Sequence, residues 1–426
     1  MKQKILSKTI KETALKAGVA DAKLMSIDRP EIASEKEFIL NAFCKTRSLI
    51  SYCYPLNPEA VRSPFRSIAN LEFHQKSEML DKIGANIVQK LNEKGIRAVN
   101  ASVAFPMEAE NFPDRMWVVS HKKIAEAAGL GKTGLNRLIL HPEFGAFHIL
   151  GTILMDVELD QENHPIDFNP CFQCKLCSYT CPSGAIHIDG YFNFSACYTH
   201  NYREFMGGFA DWIETIVESK NRNDYRNKIS DGETVSMWQS LAYKSNYKAA
   251  YCMAVCPAGE RQFHIYSQNR KDYVDKIVNP LRNKKETVYI SRNSDAESIV
   301  KKKFQNKNIK IVKGGIYPKS IESFLFGLNL LFQPNFAKTI KLNAVYHFTF
   351  TGSENIIATI QIKEGNLKVV KGSHILIPDI KITADSRTWL KIISGEKNKI
   401  TAVIFRKLKI EGGIKLLNQF SSCFSI

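Results

Sequence analysis

The sequence predicts an N-terminal α/β domain, a cysteine-rich middle domain and a C-terminal α+β domain, and three observations carry that division. Strand-like and helix-like apolar spacings mix over residues 1–160. Seven of the ten cysteines fall between residues 165 and 262. Beyond residue 320, strand-period alternation gives way to helix signals. A chain of 426 residues is long enough for two or three domains of roughly 100–200 residues. Its 44% apolar and 24% charged residues are those of an ordinary globular protein and exclude wholesale disorder or a collagen-like rod.

In the first domain, Ser48-Leu49-Ile50-Ser51-Tyr52-Cys53-Tyr54 reads as a buried strand ended by Pro55. Glu72 to Leu91 carries helical spacing, with Leu80, Ile83, Ile87 and Val88 on one side. Val118 to Ala128 reads as a helix. After it, Gly129-Leu130-Gly131-Lys132-Thr133-Gly134 fits GxGxxG on paper, but a dinucleotide site needs a strand before the glycines. A phosphate loop needs glycine at position 126, where Glu126 stands. The stretch is therefore a helix stop and a close backbone approach to a ligand or a neighbouring segment. Cys44, Cys53 and Cys423 lack metal spacing and read as structural thiols.

No segment reaches the ~18 consecutive apolar residues of a membrane-spanning helix. The nearest approach, Ser323 to Ala337, is interrupted by Gly327, Asn329, Pro334 and Asn335. Met1 to Lys8 lacks the apolar stretch and cleavage site of an export signal, so a cytoplasmic location is expected. Thiols stay reduced there, and clustered cysteines are metal ligands or reactive groups.

The middle domain holds the strongest signal, Cys171-x2-Cys174-x2-Cys177-x3-Cys181-Pro182. Three cysteines two residues apart wrap a loop around one face of an iron-sulfur cubane, and the fourth usually ligates a second cluster. Structural zinc prefers paired CxxC units separated by a longer loop. Cys252-x3-Cys256-Pro257 is the tail of a second run, and Cys197 lies between the two runs. If Cys256 completes a first 4Fe-4S cluster with Cys171, Cys174 and Cys177, the second is left with Cys181, Cys197 and Cys252. A complete run would have cysteine at 249, but Ala249 stands there and Asn246 three residues earlier. Either a non-cysteine group such as His200 or solvent takes the fourth place, or the second centre is 3Fe-4S.

Residues 280–320 are Lys-rich with few large apolar side chains and read as a connector with some local structure, ending near Gly314-Gly315. Next, Tyr346, Phe348 and Phe350 alternate with His347, Thr349 and Thr351. Ile356, Ala358, Ile360 and Ile362 repeat the period before the turn Glu364-Gly365-Asn366. Ile380 and Ile382 lead to Asp385, an N-cap for a helix carrying Trp389, Leu390 and Ile393 that Gly395 stops. The net charge of +17 is concentrated in this region. Residues 280–426 hold 25 Lys+Arg against 10 Asp+Glu, and the first 279 residues hold 34 against 32. Such a surface can attract nucleic acid or an anionic membrane, or be a solvated Lys-rich face.

The run Cys171 to Pro182 with Ser183-Gly184-Ala185-Ile186, then Cys197, then Cys252-x3-Cys256-Pro257, resembles the cluster domain of epoxyqueuosine reductases and reductive dehalogenases. Ala128 to Asn136 is similar to the glycine-rich loop of that family, which implies Gly129, Gly131, Gly134 and Asn136 as corrinoid-binding residues. The resemblance covers roughly residues 10–265 and implies two 4Fe-4S clusters passing electrons to cobalamin in the N-terminal domain. It departs from the family at the missing cysteine and at Gly134-Leu135-Asn136, where relatives have Gly-Lys-Asn. It departs again at Arg115, where spacing from the loop puts the relatives' proton-donating aspartate. Asp114 is the neighbouring substitute as catalytic residue. Pro378 to Asp385 and Lys407 to Gly412 resemble the sterol carrier protein type 2 domain, a curved sheet and helices around an apolar lipid tunnel.

The expected architecture is thus an α/β reductase-like domain (1–160), a ferredoxin-like two-cluster domain (161–265), a basic linker (266–319) and an α+β sterol-carrier-like domain (320–426). The expected function is an iron-sulfur oxidoreductase, resembling epoxyqueuosine reductase, served by a ferredoxin or flavodoxin donor. The alternative is a ferredoxin-type electron-transfer or lipid-binding protein without corrinoid chemistry. The partners to weigh for the C-terminal region are tRNA, lipid and an anionic membrane surface.

Overall fold

The computed structural model describes residues 7–425, so Met1 to Leu6, read above for an export signal, lie outside the described residues. The chain divides into two compact units. The first holds the residues up to Cys181, Ile188–Gly190 and Ala250–Lys284; the second holds Pro182–His187, Tyr191–Ala249 and Lys285 onward.

In the first unit the strands are β1 (Asp21–Ser26), β2 (Ser48–Pro55), β3 (Ala98–Ala101), β4 (Lys132–Thr133), β5 (Ile139–Leu140) and β6 (His148–Met155). Four of them form a sheet in the order β1-β2-β6-β3, and β4 pairs with β5. The strand expected at Ser48–Tyr54 is β2, and its continuous apolar run follows from its place inside the sheet with both faces covered. Ile50 and Tyr52 pack with Leu80, Ile87 and Leu91 of the helix Arg66–Glu93, while Leu49 packs with Ile39, Ile124 and Ala127. The expected mixture of helices and strands is present, but every pairing in this sheet is antiparallel.

The stretch 161–265, expected as one two-cluster domain, is divided between the two units. The reason is a helical insertion: Phe194–Asn201, Met206–Val217, Arg222–Lys228 and Asp231–Tyr243 fold with the later chain. Residues 266–319, expected as a linker, are folded as well. Strands β7 (Glu286–Ser291) and β8 (Lys307–Val312) pair in parallel and are joined through the helix Ala296–Lys303. Val288, Ile290 and Val300 are buried beneath them. Lys301, Lys302 and Lys303 lie in the last turn of that helix, where cations suit its dipole, so a Lys-rich composition is compatible with a folded segment.

The C-terminal sheet comprises β9 (Ala344–Thr351), β10 (Ile356–Lys363), β11 (Asn366–Lys371), β12 (Ile380–Asp385) and β13 (Leu408–Gly412), in the order β11-β10-β9-β12-β13. In it β9 and β12 run parallel and the other neighbours antiparallel. The expected hairpin turns on Glu364 and Gly365, both with positive φ (50° and 74°), as a two-residue loop requires. Asp385 caps the helix Ser386–Ile393 by accepting from the Thr388 N–H at 2.9 Å. Phe348 and Phe350 of β9 meet Phe324 and Trp389, and Tyr346 meets Phe420, in one aromatic core.

A polar knot ties the β7/β8 segment to this domain. Gln333 is fully buried: its carbonyl accepts from Asn193 Nδ2 and from the Asp295 N–H, both at 2.9 Å, and its amide donates to Leu331 O and Ser425 Oγ. The Asp295 carboxylate accepts from the N–H groups of Asn335 and Phe336, both at 2.8 Å. Replacing Gln333 by Ala strands several of these groups away from water and is expected to cost about 2–3 kcal/mol. A denaturant titration should show the second unit's transition moving to lower concentration; an unchanged midpoint would mean the knot contributes nothing.

Candidate functional site

Four of the predicted ligands converge. Cys171, Cys174, Cys177 and Cys256 line one pocket together with Leu135, Leu140, Phe172, Pro257 and Ala258. The chain wraps the pocket because Gln173 and Lys175 adopt left-handed conformations (φ 53° and 64°), which coil the backbone between the cysteines. Asn169 Oδ1 accepts from the Cys171 N–H at 2.9 Å and fixes where the coil begins. Burial pushes the Cys174, Cys177 and Cys256 thiols up, that of Cys256 to about 12, and neighbouring thiols add to the effect. Among the described residues no three His, Cys, Asp or Glu side chains converge on the position of a single metal ion. Four thiols lining one pocket are a donor set that a 4Fe-4S cluster takes, as a tetrahedral zinc also would.

Cys256 reaches the run because the chain ahead of it is braced. Arg62 is buried; its guanidinium donates to Ala254 O at 3.4 Å, Gln262 Oε1 at 2.6 Å and Tyr273 Oη at 3.2 Å, and lies 5.1 Å from the Phe147 ring centroid. Tyr273 Oη in turn donates to Val255 O at 3.4 Å. Beyond Cys256, Gly145 approaches so closely that a Cβ there would meet Ala258 O at 1.7 Å. Arg62 and Tyr273 were not visible as site residues in the sequence, since an arginine after Asn57-Pro58 reads as a solvated helix residue.

Of the second predicted set, Cys181 and Cys252 lie together in the first unit. Burial pushes the Cys252 thiol up to about 12, and the Cys181 thiol adds to it. Cys197 is half-buried on the helix Phe194–Asn201 of the second unit. His200 on that helix accepts from the Tyr289 N–H at Nδ1, 3.4 Å away, and Asn246 donates to Glu204 at 3.2 Å.

The glycine-rich loop is committed to its own chain. The helix ahead of it, His121–Ala127, ends in a Schellman motif, with the Leu130 N–H on Ala125 O at 2.9 Å and the Gly129 N–H on Glu126 O at 3.1 Å. Gly129 has φ +80°, and a Cβ there would stand 1.9 Å from His164 O; Gly131 and Gly134 are pressed against Leu140. Asn136 is buried, lines the four-thiol pocket and donates to Cys252 O at 3.3 Å. At Gly129, Gly131 and Gly134 the space a side chain would need is taken by the His164 backbone and Leu140, so packing within the chain by itself accounts for these glycines. His121 is spent in the same way, on Thr152 Oγ1 and Ser102 O, both at 2.9 Å.

Asp114 is half-buried in the loop after Pro113 and is not among the residues lining the thiol pocket. Arg115, at the position of the relatives' aspartate, is locked on Glu35, which also accepts from Lys123 at 2.9 Å and from the Ser120 N–H at 3.2 Å. Its guanidinium lies 3.9 Å from the centroid of Phe38. In the C-terminal domain, Trp389 Nε1 is buried without a hydrogen-bond partner among the described residues.

Residues 333–425 match the model of the SCP-2 sterol transfer family. The chain is similar to the epoxyqueuosine reductase of Vibrio cholerae, 30% identical over 169 residues, which is 38% of this chain and 38% of that enzyme. It is also similar to the Escherichia coli K12 enzyme, 41% identical over 68 residues, 16% of this chain and 17% of that one. The matches thus span well under half the length of these relatives. Among solved structures, epoxyqueuosine reductase from Streptococcus thermophilus aligns over 65% of this chain and 78% of its own at 12% identity, with a TM-score of 0.35. A catabolic reductive dehalogenase aligns over 64% and 34% at 13% identity, with a TM-score of 0.39. The resemblances read from the cysteine run and from the C-terminal hairpins are both found again in these comparisons.

Burial pushes the Glu35 carboxyl up, but the hydrogen bonds of Arg115 and Lys123 outweigh it and hold the group below its ordinary 4.5. Its stabilising contribution is therefore present above that value and is lost as pH falls through the depressed one. Glu35→Gln should lower the thermal midpoint at pH 7, and the gap from the parent should close as pH drops below the carboxylate range. A gap independent of pH would show that the charge of Glu35 is irrelevant.

Proposed function

We propose that the protein is an iron-sulfur reductase that takes single electrons from a ferredoxin- or flavodoxin-type donor. The observation that carries this is the meeting of Cys171, Cys174 and Cys177 with Cys256, distant in sequence, around one pocket. The cysteines present fit a 4Fe-4S cluster there, and Cys181 and Cys252, together in the same unit, supply thiols for a second centre. Such clusters supply one-electron transfer at low potential. The chain's own residues hold and shield that site. Arg62 and Tyr273 fix the backbone ahead of Cys256, while Leu135, Leu140, Phe172 and Pro257 wall the pocket with apolar surface. Asn136 touches both sets, since it lines the first pocket and holds the carbonyl of Cys252. With one thiolate fewer, the second centre is a three-iron cluster or takes a non-cysteine ligand, and either raises its potential relative to a fully thiolate-bound one. Where the resemblance implies a corrinoid, the loop glycines pack against the chain's own backbone and Leu140, and the cluster chemistry proposed for the four thiols does not depend on that group.

The test is anaerobic reconstitution followed by iron, sulfide and cobalt analysis and electron paramagnetic resonance. Two distinguishable centres are expected, with Cys256→Ala removing one signal and Cys252→Ala the other. Stoichiometric zinc in place of iron, or both signals surviving Cys256→Ala, would defeat the assignment, and bound cobalt would add a corrinoid.

A second reading concerns the C-terminal domain and is favoured by Trp389: an indole N–H buried without a partner suits a bound lipid that offers an oxygen. Mass spectrometry of lipid extracted from the full chain should find one lipid class, depleted several-fold in Trp389→Phe. Equal recovery from both proteins, or none from either, would remove lipid binding at this residue.

A further inference from the structure

One short helix of the C-terminal domain is turned inside out. Lys399–Ile404 buries Ala402 toward the core and presents Ile400, Val403 and Ile404 to solvent, at 69%, 43% and 70% exposure. Positions i, i+3 and i+4 form the stripe that a helix ordinarily hides. Phe405, which follows, is 68% exposed. The backbone holds these side chains outward firmly. Asn398 caps the helix from the Ile400 N–H at 2.8 Å, and the Lys407 N–H closes the far end on Ala402 O at 2.9 Å, with Arg406 in a left-handed turn. The apolar stripe is therefore a fixed feature of the surface.

Its surroundings are basic. Residues 396–409 contain Lys397, Lys399, Arg406, Lys407 and Lys409 against the single acid Glu396. Lys409 pairs with Glu411 at 2.6 Å and Lys399 donates to Ser421 Oγ at 3.2 Å, whereas Lys397 and Arg406 form no ion pair among the described residues. Exposed isoleucine and phenylalanine flanked by cations match the boundary between lipid headgroups and acyl chains, where apolar side chains sink and cations meet phosphate. A protein partner would have to supply acids around an apolar socket, and RNA offers phosphate and bases that stack on Phe405 but no apolar phase for Ile400 and Ile404.

We propose that Lys397–Lys409 is a docking wedge for an anionic lipid bilayer, with Ile400, Val403, Ile404 and Phe405 inserting and the flanking Lys and Arg side chains holding the headgroups. The experiment is flotation of the full chain with phosphatidylcholine vesicles containing or lacking phosphatidylglycerol. Binding is expected only with the anionic lipid. Ile404→Asp/Phe405→Asp should weaken it about tenfold or more, and Lys397→Ser/Arg406→Ser should weaken it several-fold and flatten its salt dependence. A Phe405→Trp variant should shift its emission to the blue on anionic vesicles. The substituted side chains are exposed, and circular dichroism identical to the parent's will show that folding is intact. Failure of the parent chain to float at low salt, or undiminished flotation of the double aspartate variant, would overturn the proposal. So would tRNA binding that the basic residues support and the aspartates leave unchanged, if flotation is absent.

Discussion

Everything at the candidate metal centre depends on bringing Cys256 back to a run that begins at Cys171. Three thiols of that run come with their spacing, but the fourth must be delivered across an intervening insertion. The delivery rests on one buried guanidinium. Arg62 spans from the α/β sheet domain to Ala254 O, Gln262 and Tyr273, so the last turn before Cys256 is held by charged hydrogen bonds worth roughly 1.5–3 kcal/mol each where water is excluded. The close pass of Gly145 against Ala258 then clamps the chain on the other side of the cysteine. The backbone on both sides of the Cys256 thiol is thus held in place.

The same economy of space explains the glycine-rich loop. Gly129 is required by a left-handed helix stop and by the carbonyl of His164, and Gly131 and Gly134 by Leu140. Asn136 can then enter the interior and hold Cys252 O. The loop's small residues thus let Asn136 reach the carbonyl of the candidate ligand Cys252 through packing, and the likeness of its sequence to a corrinoid loop is compatible with a different use of the same backbone.

Much of this was legible beforehand, for identifiable reasons. The strand Ser48–Tyr54, the hairpin at Glu364-Gly365 and the cap at Asp385 each depend on local spacing or local turn chemistry, and these are written in adjacent residues. That Cys171, Cys174 and Cys177 share one pocket was legible from their close spacing, and Cys256 from its Cys-Pro tail. Arg62, Tyr273 and Glu35 were not, since each acts across a long separation and looks like a surface residue on its own element. The segment expected as a connector over 266–319 holds more regular structure than its composition suggests, for a related reason. Lysines at the end of Ala296–Lys303 and beside Glu286 advertise solvent, while the few residues that build the fold there, Val288, Ile290 and Val300, are sparse in a composition count.

The charge imbalance of the sequence ties these observations together. The first 279 residues, which carry all seven candidate ligands, are nearly balanced, and the excess of positive charge lies beyond them. Within the C-terminal domain the aromatic core is self-sufficient, with Tyr346, Phe348 and Phe350 buried against Phe324, Trp389 and Phe420 of the covering helices, so no packing demand forces Ile400, Ile404 and Phe405 outward. Leaving them in water sacrifices the burial of large apolar side chains, each worth about 1.5–3 kcal/mol. An aromatic core already packed without these side chains, and a helix capped at both ends to display them with cations beside it, are what an apolar partner of anionic surface charge would meet.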